Sequence, residues 1–242
     1  MDSAISTVNW HSYAQTYDML LDYNPFYQQL REEVFRKIID WDIEEGALIA
    51  DIGAGTGNYS LKLAKTFPQA QIIHVDNNNG MCDLTQRKVE ESNLTNLQVR
   101  RQTVEALQFE KESLNACLCI HSLYTFPEPQ KVIQRIYDWV KPGGIGIFVD
   151  PGRTVNVLDW QLAIGWHMIK KYGFRKTFQL LREGKEISHQ NRQISKLHAQ
   201  GIYWKHSQEE FCSAIREAGF EIISAQYCFR NISDMVLWEK PK

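Results

Sequence analysis

Long apolar runs, paired cysteines and a large net charge are all missing from this sequence. No run of about 18 apolar residues occurs, so we expect no membrane-spanning helix. The N-terminal residues lack the basic and then apolar pattern of a signal peptide, which predicts a cytoplasmic protein. The cysteines form no C-x-x-C pair and no His-linked zinc spacing, so we predict buried thiols and no metal site.

The composition that is present is typical of a large α/β domain. The 242 residues are 43% hydrophobic and 12% aromatic with a net charge of −2, which disfavours disorder. The charge is uneven, because residues 153–206 hold ten Lys or Arg against three Asp or Glu. The sequence therefore predicts one core that carries a chemically distinct, basic segment.

Short apolar runs alternate with amphipathic stretches along most of the chain. The alternation predicts a doubly wound parallel sheet with helices on both faces, closed by two antiparallel strands at residues 221–229 and 234–239. Residues 154–206 interrupt it with helical, aromatic-rich sequence. We therefore assign residues 1–153 and 207–242 to the core and residues 154–206 to a helical insertion or lid after the fifth strand.

The strongest functional motif is D-I-G-A-G-T-G at residues 51–57, between a predicted strand and a predicted helix. Such a loop lets a ligand lie against the main chain, and Asp76 at the end of the next strand can accept hydrogen bonds from ribose hydroxyls. Asn58 stands where a dinucleotide fingerprint has its third glycine, and Asp51 would repel phosphate but attract an ammonium group. The motif thus favours a nucleoside that carries a cation over NAD.

Several motifs together resemble the class I S-adenosylmethionine (SAM)-dependent methyltransferases of the small-molecule branch. They are Y-A-x-x-Y-D at 13–18, the glycine loop at 51–57, V-D at 75–76, V-E-A-L at 104–107, K-P-G-G at 141–144 and the hairpin after A-G-F at 218–220. The resemblance implies a Rossmann-like, seven-stranded, mostly parallel sheet with an antiparallel last strand. It also implies SAM as the cofactor.

The resemblance carries specific cofactor roles onto this chain. Residues 53–55 would lie along the methionine and ribose parts of SAM. Asp51 would help to hold the amino group of SAM, and Asp76 would bind its ribose hydroxyls. Besides Asp51 and Asp76, the cofactor contacts that the resemblance implies are Tyr17, Gly53, Ala54, Gly55, Asn77, Met81, Thr103, Val104, Glu105, Cys119 and His121. Thr103 stands where the family commonly has an Asp that accepts the adenine amino hydrogen bond, and Glu105 is the alternative acceptor.

Methyl transfer needs a base only when the nucleophile arrives protonated. His121 follows the fourth strand and is the first candidate, with Tyr17 as a wall of the site and His167 as a second orienting group. Arg153 could bind a carboxylate or phosphate of the substrate. Each of these side chains has a plain structural alternative, namely core packing or a solvated surface position.

The insertion is expected to select the substrate, because apolar walls with few polar groups suit a small molecule. It offers Trp160, Trp166, Tyr172, Phe174, Phe178, Tyr203 and Trp204. We predict methylation of O or N on a small aromatic or anionic metabolite, without a nucleic-acid partner. The alternatives are a nucleic-acid methyltransferase that uses the basic insertion, a non-catalytic SAM-fold binding protein and an NAD-dependent dehydrogenase.

Overall fold

The computed structural model describes residues 8–242, so the first seven residues of the predicted core lie outside the described part. Seven strands of the described chain form one sheet. They are β1 (Leu48–Ile52), β2 (Gln71–Asp76), β3 (Leu97–Arg101), β4 (Leu114–Ile120), β5 (Val140–Pro151), β6 (Glu221–Cys228) and β7 (Ser233–Glu239).

The strand order is β3-β2-β1-β4-β5-β7-β6. Strands β1 to β5 are parallel, and β7 runs antiparallel to both β5 and β6. This confirms the predicted Rossmann-like fold with its antiparallel last strand. Strand β5 begins at Val140, which pairs with Leu114 of β4, and the K-P-G-G segment then makes an irregularity in the ladder before Ile145 pairs with Ala116.

Helices cover both faces of the sheet, and two more helices follow β5. They are α1 (Trp10–Tyr17), α2 (Met19–Tyr23), α3 (Pro25–Ile38), α4 (Ser60–Thr66), α5 (Asn79–Glu91), α6 (Pro129–Trp139), α7 (Val157–Glu183), α8 (Lys185–Ala199) and α9 (Gln208–Glu217). A capping box starts α9, since Ser207 and Glu210 bond each other's backbone there. None of the helices in residues 8–242 is long and apolar enough to cross a membrane.

The core is divided by the sheet into two apolar clusters. Strand β4 shows the division, because Cys117 and Cys119 face the cluster that α6 and α9 cover, whereas Ala116 and Leu118 face the cluster that α3 and α4 cover. Consecutive side chains of a strand point to opposite faces, so a strand buried on both sides reads as a continuous apolar run. This is why the sequence pattern predicted these strands well.

Helices α7 and α8 form the insertion, which is tied to the N-terminal helix α1. The Asn9 amide donates to Gln190 Oε1 at 2.9 Å, and the Ser12 hydroxyl donates to Glu186 Oε1 at 2.6 Å. Gly173, with φ of 76° and ψ of 168°, interrupts the helical geometry of α7. The N-terminal helices and the insertion thus make a joint roof beside the carboxyl ends of the central strands.

Candidate active site

A cavity of about 330 Å³ lies at the carboxyl ends of β1, β2 and β4, and we call it the loop cavity because the glycine loop forms its floor. Gly53 has a φ of +67° and Gly55 a φ of +56°, a region that side-chain-bearing residues seldom adopt. A Cβ on Gly53 would lie 2.4 Å from the Cβ of Ser122. Glycine is therefore required here for both the turn and the close approach of the chain after β4.

Most of the predicted cofactor residues line the loop cavity. They are Tyr17, Asp51, Gly53, Ala54, Gly55, Asp76, Asn77, Met81, Val104, Glu105 and His121. Their predicted contacts with a cofactor stay predictions, but the fold does bring them together.

Thr103 and Cys119 are the two predicted cofactor residues that do not line this cavity. The Thr103 hydroxyl accepts from the Ala106 amide at 3.3 Å and so closes a turn, while its neighbour Gln102 lines the cavity. Cys119 is fully buried with its Sγ 2.9 Å from the Ser122 hydroxyl, and Ser122 lines the cavity instead. The alternation of side chains along β4 explains the second case, because it turns Cys119 into the core.

Asp76 is held rigidly at the end of β2. Its Oδ2 accepts from the Gly55 amide at 2.9 Å and its Oδ1 from the Asn78 amide at 2.8 Å. Burial raises the pKa of this carboxyl, and the amide hydrogen bonds oppose that rise. Each carboxylate oxygen keeps a free lone pair, so the group can also accept hydrogen bonds from two neighbouring hydroxyls.

Asp51 ends a buried chain of polar groups that the sequence did not reveal. The Ser60 hydroxyl donates to Asp51 Oδ2 at 2.6 Å and lies 3.0 Å from His74 Nδ1. Since the hydroxyl has one proton, His74 must donate from Nδ1, and its Nε2 has no partner among the described residues. Burial raises the pKa of Asp51 to about 7 and lowers that of His74 to about 3. Near neutral pH, Asp51 is therefore poised between its neutral form and the carboxylate.

Other residues of the loop cavity were not predicted to contact the cofactor, although Tyr203 was named for the substrate pocket and Asn58 was noted beside the glycine loop. The larger ones are Trp10, Tyr27, Asn58, Tyr59, Phe126 and Tyr203. Tyr27 and Tyr59 have the spacing of ordinary core aromatics, and a periodic pattern predicts burial without showing which cavity the buried side chain borders. Asn58 is the exception, because it directly follows the glycine loop and a site there was already predicted.

A second cavity, of about 240 Å³, lies under the roof formed by the N-terminal helices, α7 and α8, and we call it the roof cavity. Its lining is largely apolar and aromatic, and includes Tyr13, Leu20, Tyr23, Trp160, Ile164, Met168, Leu180, Ile187, Ile194 and Phe229. Arg153 also lines it, but the guanidinium makes a two-pronged ion pair with the buried Asp234 at 2.8 and 3.0 Å. Among the described residues of this lining, the only Lys or Arg is thus already paired.

The two cavities meet at four shared residues, Trp10, Tyr17, Tyr27 and His121. His121 has a φ of +54°, its Nε2 lies 2.9 Å from the Ser233 hydroxyl, and its ring packs on Phe229 at 4.8 Å. Burial lowers the pKa of His121 to about 4, so the imidazole is neutral at pH 7. Burial also raises the pKa of Tyr17 well above its usual range, so its hydroxyl keeps its proton.

His167 and the aromatic residues of the insertion, which the sequence also offered as site residues, do not lie together in one cavity. His167 is half-buried on α7 and lines neither cavity. Of the insertion aromatics, Trp160 lines the roof cavity and Tyr203 the loop cavity. Trp166, Phe174 and Phe178 are instead 62%, 76% and 64% exposed, whereas Tyr172 packs on Tyr23 and Trp204 on Phe211. The insertion thus supplies only two of its seven named aromatics to the two cavities, because α7 turns part of its apolar surface outward.

Comparison with known proteins identifies a known domain within this architecture. Residues 49–144, which hold the glycine loop and β1 to β4, match the family described as a methyltransferase domain. Residues 49–144 thus carry a methyltransferase domain, and the sheet around them has the strand order of the predicted Rossmann-like fold.

Two curated relatives that are methyltransferases match a large part of this chain. A ubiquinone/menaquinone biosynthesis C-methyltransferase from Blochmanniella floridana is 28% identical over 68% of this chain and 66% of its own length. A demethylmenaquinone methyltransferase from Lactobacillus johnsonii is 25% identical over 56% of this chain and 54% of its own. The chain thus spans between about half and two thirds of the length of these relatives.

One solved structure that matches this chain is phosphoethanolamine N-methyltransferase 2 from Haemonchus contortus in complex with SAM. It has a TM-score of 0.66 and 14% sequence identity, and the match covers 100% of this chain and 59% of that one. At this identity the likeness concerns the fold. It extends over the roof helices as well as over the methyltransferase domain.

Proposed function

We propose that this protein transfers a methyl group from SAM to an oxygen or nitrogen of a small, largely apolar and aromatic metabolite. The observation that carries the proposal is the meeting of two chemically different cavities at Tyr17 and His121. The loop cavity offers carboxylates and main-chain groups, and the roof cavity offers aromatic and aliphatic walls. A group-transfer enzyme needs such a pair of sites, because donor and acceptor must be held in line and away from water.

The loop cavity fits SAM residue by residue. Asp76 offers two oriented oxygens for the ribose hydroxyls, and Asp51 offers a carboxylate for the amino group. Val104 and Met81 are buried apolar side chains suited to the flat adenine ring. When bound, SAM supplies a methyl group already activated on a sulfonium.

The roof cavity favours an uncharged acceptor over an anionic one. Arg153 is committed to Asp234, and burial lowers the pKa of His198 to about 4, so this lining residue is also neutral at pH 7. Transfer of an anion into such a cavity would lose hydration without gaining an unpaired cation among the described residues. An aromatic ring would instead pack against Trp160 and Phe229, which lie 4.7 Å apart, centroid to centroid.

His121 is suited to orienting the nucleophile and accepting its hydrogen bond. Its imidazole is neutral at pH 7, and Ser233 fixes its ring. A base with so low a pKa has little driving force to remove a proton fully, so orientation is the larger part of its role. Tyr17 also borders both cavities, and it stays protonated and can donate a hydrogen bond there. His167 has no part in this proposal.

The test is a panel of acceptors assayed for methyl transfer from SAM. Each neutral phenol or aromatic amine is compared with an analogue that bears an added carboxylate, and the products are identified by mass spectrometry and NMR. We expect transfer to neutral acceptors with a KM at least about tenfold lower than for the carboxylates. Preference for the carboxylates, or binding of S-adenosylhomocysteine without any turnover, would contradict the proposal. Product structures also separate O- and N-methylation from the C-methylation named for the Blochmanniella relative.

His121→Ala sharpens the same test. We expect kcat to fall by about a hundredfold while the affinity for S-adenosylhomocysteine stays within about threefold. Between pH 5 and 8 the wild-type kcat should show no step from His121, because the group protonates only near pH 4, where the hydrogen-bond acceptor is lost. An unchanged kcat in the variant would remove His121 from the site.

A further inference from the structure

Large apolar side chains are exposed mainly on one element, α7. Gly173 divides this helix into two segments, and in each the exposed residues recur at three- or four-residue spacing, so they share one side of that segment. We call the set the α7 stripe; its members are Leu158, Leu162, Trp166, Phe174, Phe178 and Leu181, and they are between 49% and 76% exposed. Large apolar side chains that recur along one side of a helical segment mark an interaction site more often than scattered single residues do.

Cations border the α7 stripe. Lys170 Nζ lies 5.0 Å from the centre of the Trp166 ring, and the Arg182 guanidinium lies 6.0 Å from that of Phe178. The other exposed cations of α7 are Lys171, Arg175 and Lys176. The acids of α7 are Asp159 and Glu183, and Asp159 is paired with Arg230 at 2.9 Å. In both segments of α7 the exposed apolar side chains thus have basic residues beside them.

The other side of α7 is already occupied. Trp160, Ile164, Met168 and Leu180 line the roof cavity, and Trp160 is also packed against Phe26. The α7 stripe is therefore not needed to close the core, and a solvated helix would carry polar residues there. Leu181 belongs to both sides, since it lines the roof cavity and is half exposed. The stripe thus reaches the rim of that cavity.

We propose that the α7 stripe docks on the surface of a membrane that contains anionic lipids. An apolar side that enters the headgroup region and basic residues that meet anionic headgroups are the two features of an interfacial helix. Such a helix lies on the bilayer and does not cross it. The proposal is independent of the proposed function, since it needs no methyl transfer.

Charge and shape favour a bilayer over two other partners. A second copy of this chain, placed stripe to stripe, would bring Lys170, Arg175 and Lys176 of both copies together, and like charges repel in such an interface. A single-stranded nucleic acid would meet the cations and could stack on Phe174, but it has no use for the leucines of the stripe. A lipid surface accommodates the leucines, the aromatic rings and the cations together.

The experiment is co-sedimentation of the full chain with vesicles. One set contains phosphatidylcholine alone, and the other contains phosphatidylcholine mixed with phosphatidylglycerol. We expect binding to the mixed vesicles that weakens with salt, and much weaker binding to phosphatidylcholine. Trp166→Ser combined with Phe174→Ser should reduce binding at least about tenfold, and each of Lys170→Gln and Lys176→Gln about fivefold.

Matched controls are available on other surfaces. Ile39 and Ile223 are 66% and 52% exposed but isolated, and Lys65 and Lys111 are exposed cations far from α7 in sequence. Ile39→Ser with Ile223→Ser, and Lys65→Gln with Lys111→Gln, should leave vesicle binding unchanged. Equal thermal stability of all variants, and equal affinity for S-adenosylhomocysteine, would show that the fold is intact.

Four results would overturn the proposal. The first is no binding to either vesicle, and the second is binding that the control substitutions reduce as much as those in α7. The third is a dimer in analytical ultracentrifugation that Trp166→Ser with Phe174→Ser dissociates, which would assign the stripe to a second copy. Binding to a single-stranded oligonucleotide in place of vesicles would likewise assign the cations to nucleic acid.

Discussion

The loop cavity and the roof cavity differ in how they are built. The loop cavity is formed where consecutive strands end, so its residues come from short motifs, and hydrogen bonds such as that from the Gly55 amide to Asp76 fix its geometry. The roof cavity is formed by helices from distant parts of the chain, and apolar contacts dominate it. A sheet edge allows few backbone solutions for a given ligand, whereas helical walls can be varied freely around an acceptor. The comparison predicts that changes in one cavity leave the other intact.

The largest effect is expected from Gly53→Ala. The new Cβ would lie 2.4 Å from Ser122 Cβ at a φ of +67°, so the loop must shift. We expect the affinity for S-adenosylhomocysteine, measured by calorimetry, to fall at least about hundredfold and stability to fall by about 2 kcal/mol.

Gly46→Ala is the matched control for Gly53→Ala. Gly46 also has a positive φ, of +75°, but no atom lies within 4 Å of an added Cβ. This variant should lose about 1 kcal/mol of stability and no affinity. Equal affinity losses in the two variants would show that the loop binds no ligand closely.

A fall in pH is expected to have an intermediate effect, and to weaken ligand binding in the loop cavity only. Because the pKa of Asp51 is about 7 before binding, a cation can pair with it only after the proton leaves. The affinity for S-adenosylhomocysteine should therefore fall by up to about tenfold for each pH unit below 7, and Asp51→Asn should bind weakly at every pH. Ser60→Ala removes a hydrogen bond that lowers this pKa, so the loss of affinity should begin at a higher pH. An affinity that does not change between pH 5 and 8 would contradict the role of Asp51.

The smallest effect is expected from Asn191→Ala in the roof. Asn191 accepts from the Tyr13 hydroxyl at 2.7 Å and so joins α8 to α1. Loss of one hydrogen bond should raise the KM for the acceptor about three- to tenfold and leave the affinity for S-adenosylhomocysteine unchanged. Gln179→Ala on the exposed side of α7 is the control. A loss of cofactor affinity in Asn191→Ala would show that the two cavities are coupled.

The difference in construction between the loop cavity and the roof cavity also explains which features the sequence could predict. The strands, the capping box at Ser207 and most of the loop cavity follow from local patterns, because backbone geometry limits which residues can stand there. The Asp51–Ser60–His74 chain could not be predicted, since it depends on the register that sets Asp51 beside His74 and on the rotation of α4. Trp160 and Trp166 are equally aromatic and six residues apart, yet one lines a cavity and the other faces solvent. Periodicity alone does not show which side faces the core in a helix that is apolar on more than one side.

The most direct test of the account is thermal unfolding of the full chain with S-adenosylhomocysteine and, separately, with NAD. Ligand at about 100 times its Kd stabilises the folded state by roughly 2.7 kcal/mol. The account predicts a rise in Tm of several degrees with S-adenosylhomocysteine and none with NAD. A rise with NAD alone would contradict the assignment of the loop cavity to a nucleoside that carries an ammonium group, and so would the absence of any rise with S-adenosylhomocysteine.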